Sequence, residues 1–464
     1  MARWVPFPKK QESGVTTTYI PSQTAPQVRP TGFVARPGPV LALIGLGAVA
    51  VVALWWRDTS AVVGAAGWLT NAGRITGLLA GYAMAVLIAL MARVPALEHG
   101  VGTDRLTRWH AMGGRYVVGL MTAHVLSVIW GYAIIDGQHV TDEAVTMIVT
   151  FPEMWEATAA CLLLLGIGAV SARAARRRLS YETWYLLHFY TYVAAYLAFG
   201  HQLATGAEFT GDRAAQLAWY VLYLGVAALV IWYRLLAPVR LFLRHRLRVA
   251  AVTAEAPGVI SIQVTGRHLE RLRAEPGQFF RWRFLAKGLW WSANPYSLSA
   301  PPGAGGLRIT VKALGDHSAT LAGLRPGTRV FAEGPYGAFT GRLRSRRRVL
   351  LIAGGVGITP LRALFESLPG ELTLLYRARR EADLVFRQEL EDIAAARGAN
   401  LRYSTGPRGS DGPFDAAVLA RVVPGLRHHD VYVCGPAEMT RAAIQALRAA
   451  GVPRRHIHHE SFEF

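Results

Sequence analysis

Residues 110–124 read HAMGGRYVVGLMTAH, and the two histidines that bracket this stretch decide how the first half of the chain is built. Everything between them is apolar, small or uncharged except Arg115. The stretch opens an apolar run over about residues 112–135, and a helix needs ~20 such residues to cross hydrocarbon. Fourteen residues are nearly four helical turns, so His110 and His124 share a face within about 40° and stand roughly 21 Å apart along the axis. A second apolar run, at about residues 183–204, carries His188 and His201, and the other ten of the 14 histidines fall in loops or in the less apolar half.

Working outward, six runs are long enough to span a bilayer, at about 39–56, 75–94, 112–135, 155–172, 183–204 and 216–237, and none follows residue 240. Arg93, Arg105 and Arg108 follow the second run, Arg173 and Arg176 to Arg178 the fourth, and Arg240, Arg244, Arg246 and Arg248 the sixth. Asp136, Asp142, Glu143, Glu208 and Asp212 follow the third and fifth. The positive-inside bias places the basic loops and both termini in the cytosol, in a multi-pass protein of the cell membrane whose first partner is the lipid bilayer. A net charge of +20 raises nucleic acid as a partner, but the arginines sit between apolar runs, so no nucleic-acid partner is expected. Two cysteines, Cys161 and Cys434, exclude a disulfide framework, a four-cysteine zinc site and a cysteine-ligated iron–sulfur cluster. Lys9 and Lys10 lie too far ahead of the first apolar run, near Pro39, to form a cleavable signal peptide with it.

The third and fifth runs cross in the same direction, so His110 is expected to face His188 at the cytosolic level and His124 to face His201 near the outer level. Each pair supplies two axial nitrogens for a six-coordinate haem iron. The 13-residue spacing of His188 and His201 puts them about 140° apart on an ideal helix, which requires tilt, a π-bulge or a bend at Gly200. Interhelical hydrogen bonding and a proton relay are the competing uses of membrane histidines. Zinc closes into one tetrahedron, which pairs ~20 Å apart cannot build. Arg115 beside His110 and Arg74 at the start of the second run are candidate partners for haem propionates, against the plainer reading of arginines that snorkel.

From about residue 248 the pattern changes to short β-branched and aromatic runs between Gly and Pro turns, VISIQVTG, GQFFRWRF, LRITVKAL and TRVFAEG, which predict an antiparallel β-barrel. Beyond the basic stretch Arg342 to Arg348, VLLIAGG, a glycine turn, PLRALFESL and ELTLLYRARR predict strand, turn, helix and strand of a doubly wound nucleotide domain. Asn294-Pro295-Tyr296-Ser297 offers a ring to lie on an isoalloxazine and a hydroxyl for its reactive edge. In Val311 to Ser318, Lys312 supplies charge, and Gly315 with Ser318 opens a helix start to a pyrophosphate, or simply caps a turn. Gly354, Gly355 and Gly357 precede Thr359 and Pro360 at a helix start, where backbone can touch a dinucleotide phosphate. Arg377 and Arg380 end the next strand, where a 2′-phosphate would sit, so NADPH is favoured over NADH; a solvated charge run is the alternative. Cys434 and Gly435 close a late strand and leave room for a nicotinamide, and Phe464, the last residue, is a candidate lid over the flavin.

Taken together, His110 with His124, His188 with His201, NPYSLS, VKALGDHS, GGVGITP, VYVCGP and the terminal aromatic resemble the NADPH oxidase and ferric reductase superfamily over about residues 38–464. The resemblance implies an α-helical membrane bundle of six transmembrane helices followed by an antiparallel β-barrel FAD domain and an α/β doubly wound NAD(P) domain. The expected divisions are a cytosolic tail (1–37), the haem domain (38–240), the FAD domain (246–342) and the NAD(P) domain (347–464). It implies FAD, NADPH and two b-type haems as cofactors, and an oxidoreductase that moves electrons to an outer-face acceptor: oxygen, ferric iron or a partner protein. It also supports roles for Tyr296, Ser297, Lys312, Gly355, Thr359, Cys434 and Phe464. Asn294 departs from the His or Arg usual in relatives, which leaves Lys312 to carry a contact to the FAD phosphate. Two alternatives stay open: a haem-binding sensor or carrier without NADPH turnover, and a flavoreductase that uses the membrane half only as an anchor.

Overall fold

The computed structural model describes residues 5–6, 34–59, 62–172, 178–179, 181–407 and 414–460. The chain divides into two compact units, one built from Val34–Val101 with Arg105–Leu235 and the other chiefly from Leu236 onward.

The first unit is helical: α1 (Pro37–Arg57), α2 (Gly64–Leu90), α3 (Pro95–Gly100), α4 (Thr103–Asp136), α5 (Val140–Thr150), α6 (Met154–Ser171), α7 (Tyr181–Phe189), α8 (Thr191–Thr205) and α9 (Arg213–Val230). Among the described residues five helices are long and apolar enough to cross a membrane: α1, α2, α4, α6, and α9 with its continuation to His245. The expected fifth span is instead two helices that meet at Tyr190, and neither reaches the required length. The break is therefore at Tyr190. Gly200, where a bend was expected, lies inside α8, and the π-helical turn falls at Ile231–Leu236, beyond α9.

Helix starts follow from local chemistry. Pro37 opens α1, where its missing N–H costs nothing, and the Asp212 carboxylate caps α9 by accepting from Ala214 N at 2.8 Å and Ala215 N at 3.0 Å. Gly73, Gly77 and Gly81 form a stripe four residues apart along α2. A Cβ on Gly73 would stand 2.5 Å from Val128 Cγ2 and one on Gly77 2.6 Å from His124 Nδ1. Gly73 and Gly77 let α4 approach α2 almost to backbone contact, as small residues do between membrane helices, whereas Gly81 faces Gln202 and Trp219.

The second unit begins with α10 (Ala237–His245), which lays Phe242 against Phe331 with ring centroids 5.6 Å apart. Strands β2 (Arg248–Ala256), β3 (Val259–Thr265) and β6 (Leu307–Lys312) form one antiparallel sheet, and β5 (Asn294–Ser297), β4 (Phe279–Phe284) and β7 (Val330–Tyr336) a second. Isolated bridges at Leu298 to Ile309 and Arg248 to Arg329 join the two. Phe280, Trp282 and Phe284 alternate inward from β4 into a shared core with Ile262, Leu298 and Ile309, the period-two pattern that the sequence carries. After β6 comes the short α11 (Asp316–Thr320).

The rest is a six-stranded sheet in the order β1-β10-β9-β8-β11-β12: β1 (Val5–Pro6), β8 (Arg348–Gly354), β9 (Glu371–Ala378), β10 (Asn400–Thr405), β11 (Asp430–Cys434) and β12 (Ile457–Glu460). All neighbours are parallel except β1, which pairs antiparallel with β10 at the edge, a strand not expected from the N-terminal tail. Helices α12 (Ile358–Ser367), α13 (Arg387–Arg397), α14 (Ala416–Val422) and α15 (Ala437–Ala449) connect the strands. Val349–Ala353 and Val431–Cys434 are wholly buried, as in a parallel sheet covered on both faces. Strand order reverses between β8 and β11, so the crevice beyond their carboxyl ends is where such a sheet binds ligand. The basic stretch ahead of β8 is stapled down rather than loose: Asp430 accepts from Ser345 N and Arg346 N, each at 2.6 Å, and from His456 Nδ1 at 2.7 Å.

Candidate functional site

At that crevice lies a cavity of about 860 Å³ lined by Lys312, Leu314, Gly354 to Gly357, Arg377, Arg379, Asp383, Gly435 and Met439, among others. The glycines make it. A Cβ on Gly357 would stand 2.5 Å from the Cys434 carbonyl carbon, and one on Gly435 2.5 Å from Met439 Cε, so the two strand ends close only without side chains. Gly355 differs: its φ is +54° and nothing lies within 4 Å of its Cβ position, leaving backbone open to a phosphate at the start of α12. The Thr359 hydroxyl donates to Val356 O at 3.0 Å and so braces this turn.

Of the two arginines expected at a 2′-phosphate, Arg377 lines the cavity and Arg380 is not among its lining residues. Arg377 donates to Pro407 O at 2.9 Å. Arg380 is committed to Asp383 through bonds of 3.2 and 3.0 Å, which raise the guanidinium's pKa and hold the carboxyl below its usual range. Arg379, between them, lines the cavity and is exposed. Lys312 lines the cavity beside the glycine turn. The Ser318 hydroxyl accepts from Leu314 N at 2.9 Å and Gly315 N at 3.1 Å. The same hydroxyl donates to Gly315 O at 2.9 Å and so closes its own turn.

In Asn294–Ser297, Tyr296 pairs with Phe280 and Ser297 with Phe279 across β4 and β5. Trp282 Nε1 donates to Tyr296 O at 3.0 Å, and burial pushes the Tyr296 hydroxyl up to about 12. Cys434 is wholly buried, and burial pushes its thiol well up. Opposite it in the sheet register stands Glu460, which the sequence reading missed. Its Oε2 has no hydrogen-bond partner among the described residues, and burial pushes the carboxyl well above its usual range. The signal available was its place in the last strand, next to the strand of Cys434. Phe464 lies outside the described residues.

In the helical unit, His110 and His188 bring their ring centroids to 5.8 Å, and His124 and His201 to 6.4 Å. The Nδ1 atoms all point away to oxygen: His110 to Leu87 O at 3.2 Å, His124 to Gly73 O at 2.8 Å, His201 to Thr205 Oγ1 at 3.0 Å and His188 to Ser171 Oγ at 3.4 Å. Among the described residues no group of three or more His, Cys, Asp and Glu is gathered to hold a metal ion, so the histidines meet strictly in pairs. Arg74 is engaged by Glu208, Nε to Oε1 at 2.8 Å, with Asn71 Oδ1 at 3.3 Å and Asp58 O at 3.4 Å. This ion pair meets the charge of Arg74 within the protein. Arg115 is exposed on α4.

Residues 76–199 match the family described as ferric reductase like transmembrane component, and residues 351–445 match the oxidoreductase NAD-binding domain. Ferredoxin–NADP reductase B of Sorangium cellulosum is 34% identical over 190 residues, 36% of this chain and 77% of that protein. The ferredoxin reductase component of 3-ketosteroid-9-alpha-monooxygenase from Mycolicibacterium smegmatis is 32% identical over 230 residues, 47% of this chain. The chain spans 65% of that relative's length, and 56% of its counterpart's in Mycobacterium tuberculosis. Among solved structures, the FAD/NAD-binding domain of nitric oxide dioxygenase from Vibrio cholerae O1 biovar El Tor is 24% identical. It covers 47% of this chain and 99% of its own, with a TM-score of 0.41.

Proposed function

Because this chain belongs to the ferredoxin-reductase-type FAD/NAD(P)-binding oxidoreductases and carries a ferric reductase-like transmembrane component ahead of that half, we propose that it moves electrons across the membrane. The donor is cytosolic NADPH, and the route is FAD and then two b-type haems held by His110 with His188 and by His124 with His201. The acceptor is oxygen or ferric iron on the outer face. In this reading the α7–α8 pair completes a sixth crossing, both termini are cytosolic, and the two small sheets close as a flavin barrel.

The observation that carries the reading is the geometry of the four rings. An imidazole nitrogen binds a first-row metal at ~2.0 Å, so two opposed rings sharing one ion place their centroids roughly 6 Å apart. The pairs stand at 5.8 and 6.4 Å. Every Nδ1 is turned to an oxygen partner, the outer-shell arrangement that orients a ligating histidine and leaves Nε2 to bind. When bound, FAD turns a two-electron donor into a source of single electrons, and a bis-histidine iron relays them one at a time.

The remaining roles belong to side chains at the crevice. Gly355 and the α12 start receive the pyrophosphate, and Arg379 with Lys312 supplies positive charge for the 2′-phosphate. Tyr296 covers the isoalloxazine, and Ser297 hydrogen-bonds its reactive edge. Cys434 gives the nicotinamide space, and Glu460 stands opposite it in the sheet register as a buried carboxyl whose pKa burial raises well above its usual range. In the test, NADPH is supplied on one face of proteoliposomes while superoxide and ferrous iron are measured on the other. Transfer that His124→Ala abolishes, with NADPH oxidation by a soluble dye retained, is the expected result.

A second reading is favoured by the relatives, several of which are reductase components of oxygenases. Here the membrane half only anchors a flavoreductase that serves a partner protein, and the comparisons as a whole support this simpler chemistry further than they support haem. His124→Ala leaving every activity unchanged would establish it.

A further inference from the structure

We propose that Thr205 is a positioning residue: it holds His201 as an Nε2 ligand and gives the His124/His201 centre a lower reduction potential than the His110/His188 centre. The proposal rests on the bis-histidine haem reading above. It starts from an inequality in how the two pairs are held.

Thr205 Oγ1 lies 2.9 Å from His201 O and 3.0 Å from His201 Nδ1. A hydroxyl has one proton, and the carbonyl oxygen can only accept it. Thr205 therefore meets the ring with a lone pair, His201 Nδ1 must carry the hydrogen, and Nε2 is left bare. His124 is fixed in the same sense, because its Nδ1 faces Gly73 O at 2.8 Å and the absence of a side chain on Gly77 lets the ring come that close.

The other pair is held more loosely. His110 Nδ1 stands 3.2 Å from Leu87 O, at the long limit for such a bond. His188 Nδ1 stands 3.4 Å from Ser171 Oγ, which already accepts from Trp184 Nε1 at 3.2 Å. Trp184 stacks on His188, with centroids 5.0 Å apart and planes 20° apart, so this ring is oriented by stacking more than by hydrogen bonding.

An imidazole that gives its Nδ1 hydrogen more fully to an acceptor donates more electron density through Nε2, which favours ferric over ferrous iron. Both rings of the His124/His201 pair do so at 3.0 Å or less, and neither ring of the other pair does. The centre at His201 is thus the stronger reductant.

Spectroelectrochemical titration of the full-length protein in nanodiscs, with haem counted by pyridine haemochrome, tests this. The wild type is expected to show two haems and two reduction steps. Thr205→Val should move the lower step upward, or remove that step together with one haem, whereas Thr205→Ser restores the wild-type titration and Ser171→Ala leaves the lower step in place. Two haems with an unmoved lower step in Thr205→Val, or loss of the higher step, would overturn the proposal alone. A wild-type protein that holds no haem would instead overturn the haem reading on which it rests.

Discussion

Replacing Gly355 and Gly357 in turn by alanine separates the two jobs of the glycine turn. At Gly357 a methyl would fall 2.5 Å from the Cys434 carbonyl carbon and 2.7 Å from Gly435 N. Both are backbone atoms of an adjacent buried strand and cannot rotate away. Forced overpacking of this kind costs typically 1–3 kcal/mol, and rigid neighbours put Gly357→Ala at the upper end, about 3 kcal/mol. At Gly355 a methyl meets nothing within 4 Å, and the cost is that of holding alanine at φ +54°, about 1 kcal/mol. With roughly 2–4 °C per kcal/mol for a lobe of this size, Gly355→Ala should unfold slightly below the wild type and Gly357→Ala well below it. Function should invert that order of severity: Gly355→Ala folds and keeps flavin, yet its new methyl stands where a phosphate must touch backbone. Differential scanning fluorimetry gives the first quantity, and stopped-flow bleaching of flavin by NADPH the second. If Gly355→Ala retained wild-type NADPH affinity, the cavity would not be the dinucleotide site; if Gly357→Ala were as stable as the wild type, the close approach of the strand ends would be wrong.

Other expectations follow from partner choice. Arg379→Gln should raise KM for NADPH and leave NADH nearly unaffected, while Arg380→Ala, whose partner is Asp383, should change neither; steady-state kinetics with both nucleotides decide it. Glu389 joins Arg308 at 3.1 Å on β6 and the buried Arg362 on α12, and Arg362 keeps Glu366 as a second partner, so Glu389→Gln leaves chiefly the largely buried Arg308 without its paired carboxylate. It should cost about 2 kcal/mol, discounted from the range for fully buried pairs because Glu389 is a quarter exposed; an unchanged thermal midpoint would refute this. His458, beside Asp430, His456 and His459, is held by burial at about 4, below its usual 6.5. A depressed histidine contributes stability above pH 6.5 that is lost as pH falls towards 4, about 3 kcal/mol in all. Denaturant midpoints at pH 7.5 and pH 5 should therefore differ, and His458→Gln should flatten the difference.

Much of this architecture was legible in the residues because it depends on period and length. Apolar runs marked the spans, alternation marked β4, and VLLIAGG followed by Pro360 marked the strand, turn and helix at the switch point. The break at Tyr190 was not legible: Phe189-Tyr190-Thr191 holds neither Gly nor Pro, and the glycine nearby at 200 lies inside a helix. The helix Val140–Thr150 lies in the acidic stretch after the third apolar run, where Asp142 and Glu143 are the residues that favour a helix start. Side-chain commitments were hidden for a different reason. Whether Ser318 holds a ligand or its own turn, and whether Arg380 or Arg379 faces the cavity, depends on neighbours that only the folded chain supplies.

The most direct test of the central claim is to express the full-length chain with haem supplied and count porphyrin and iron per purified protein. Two of each are expected, falling to one in either His110→Ala or His124→Ala, with flavin content unchanged. A protein that binds FAD and oxidises NADPH but carries no haem absorbance would contradict it.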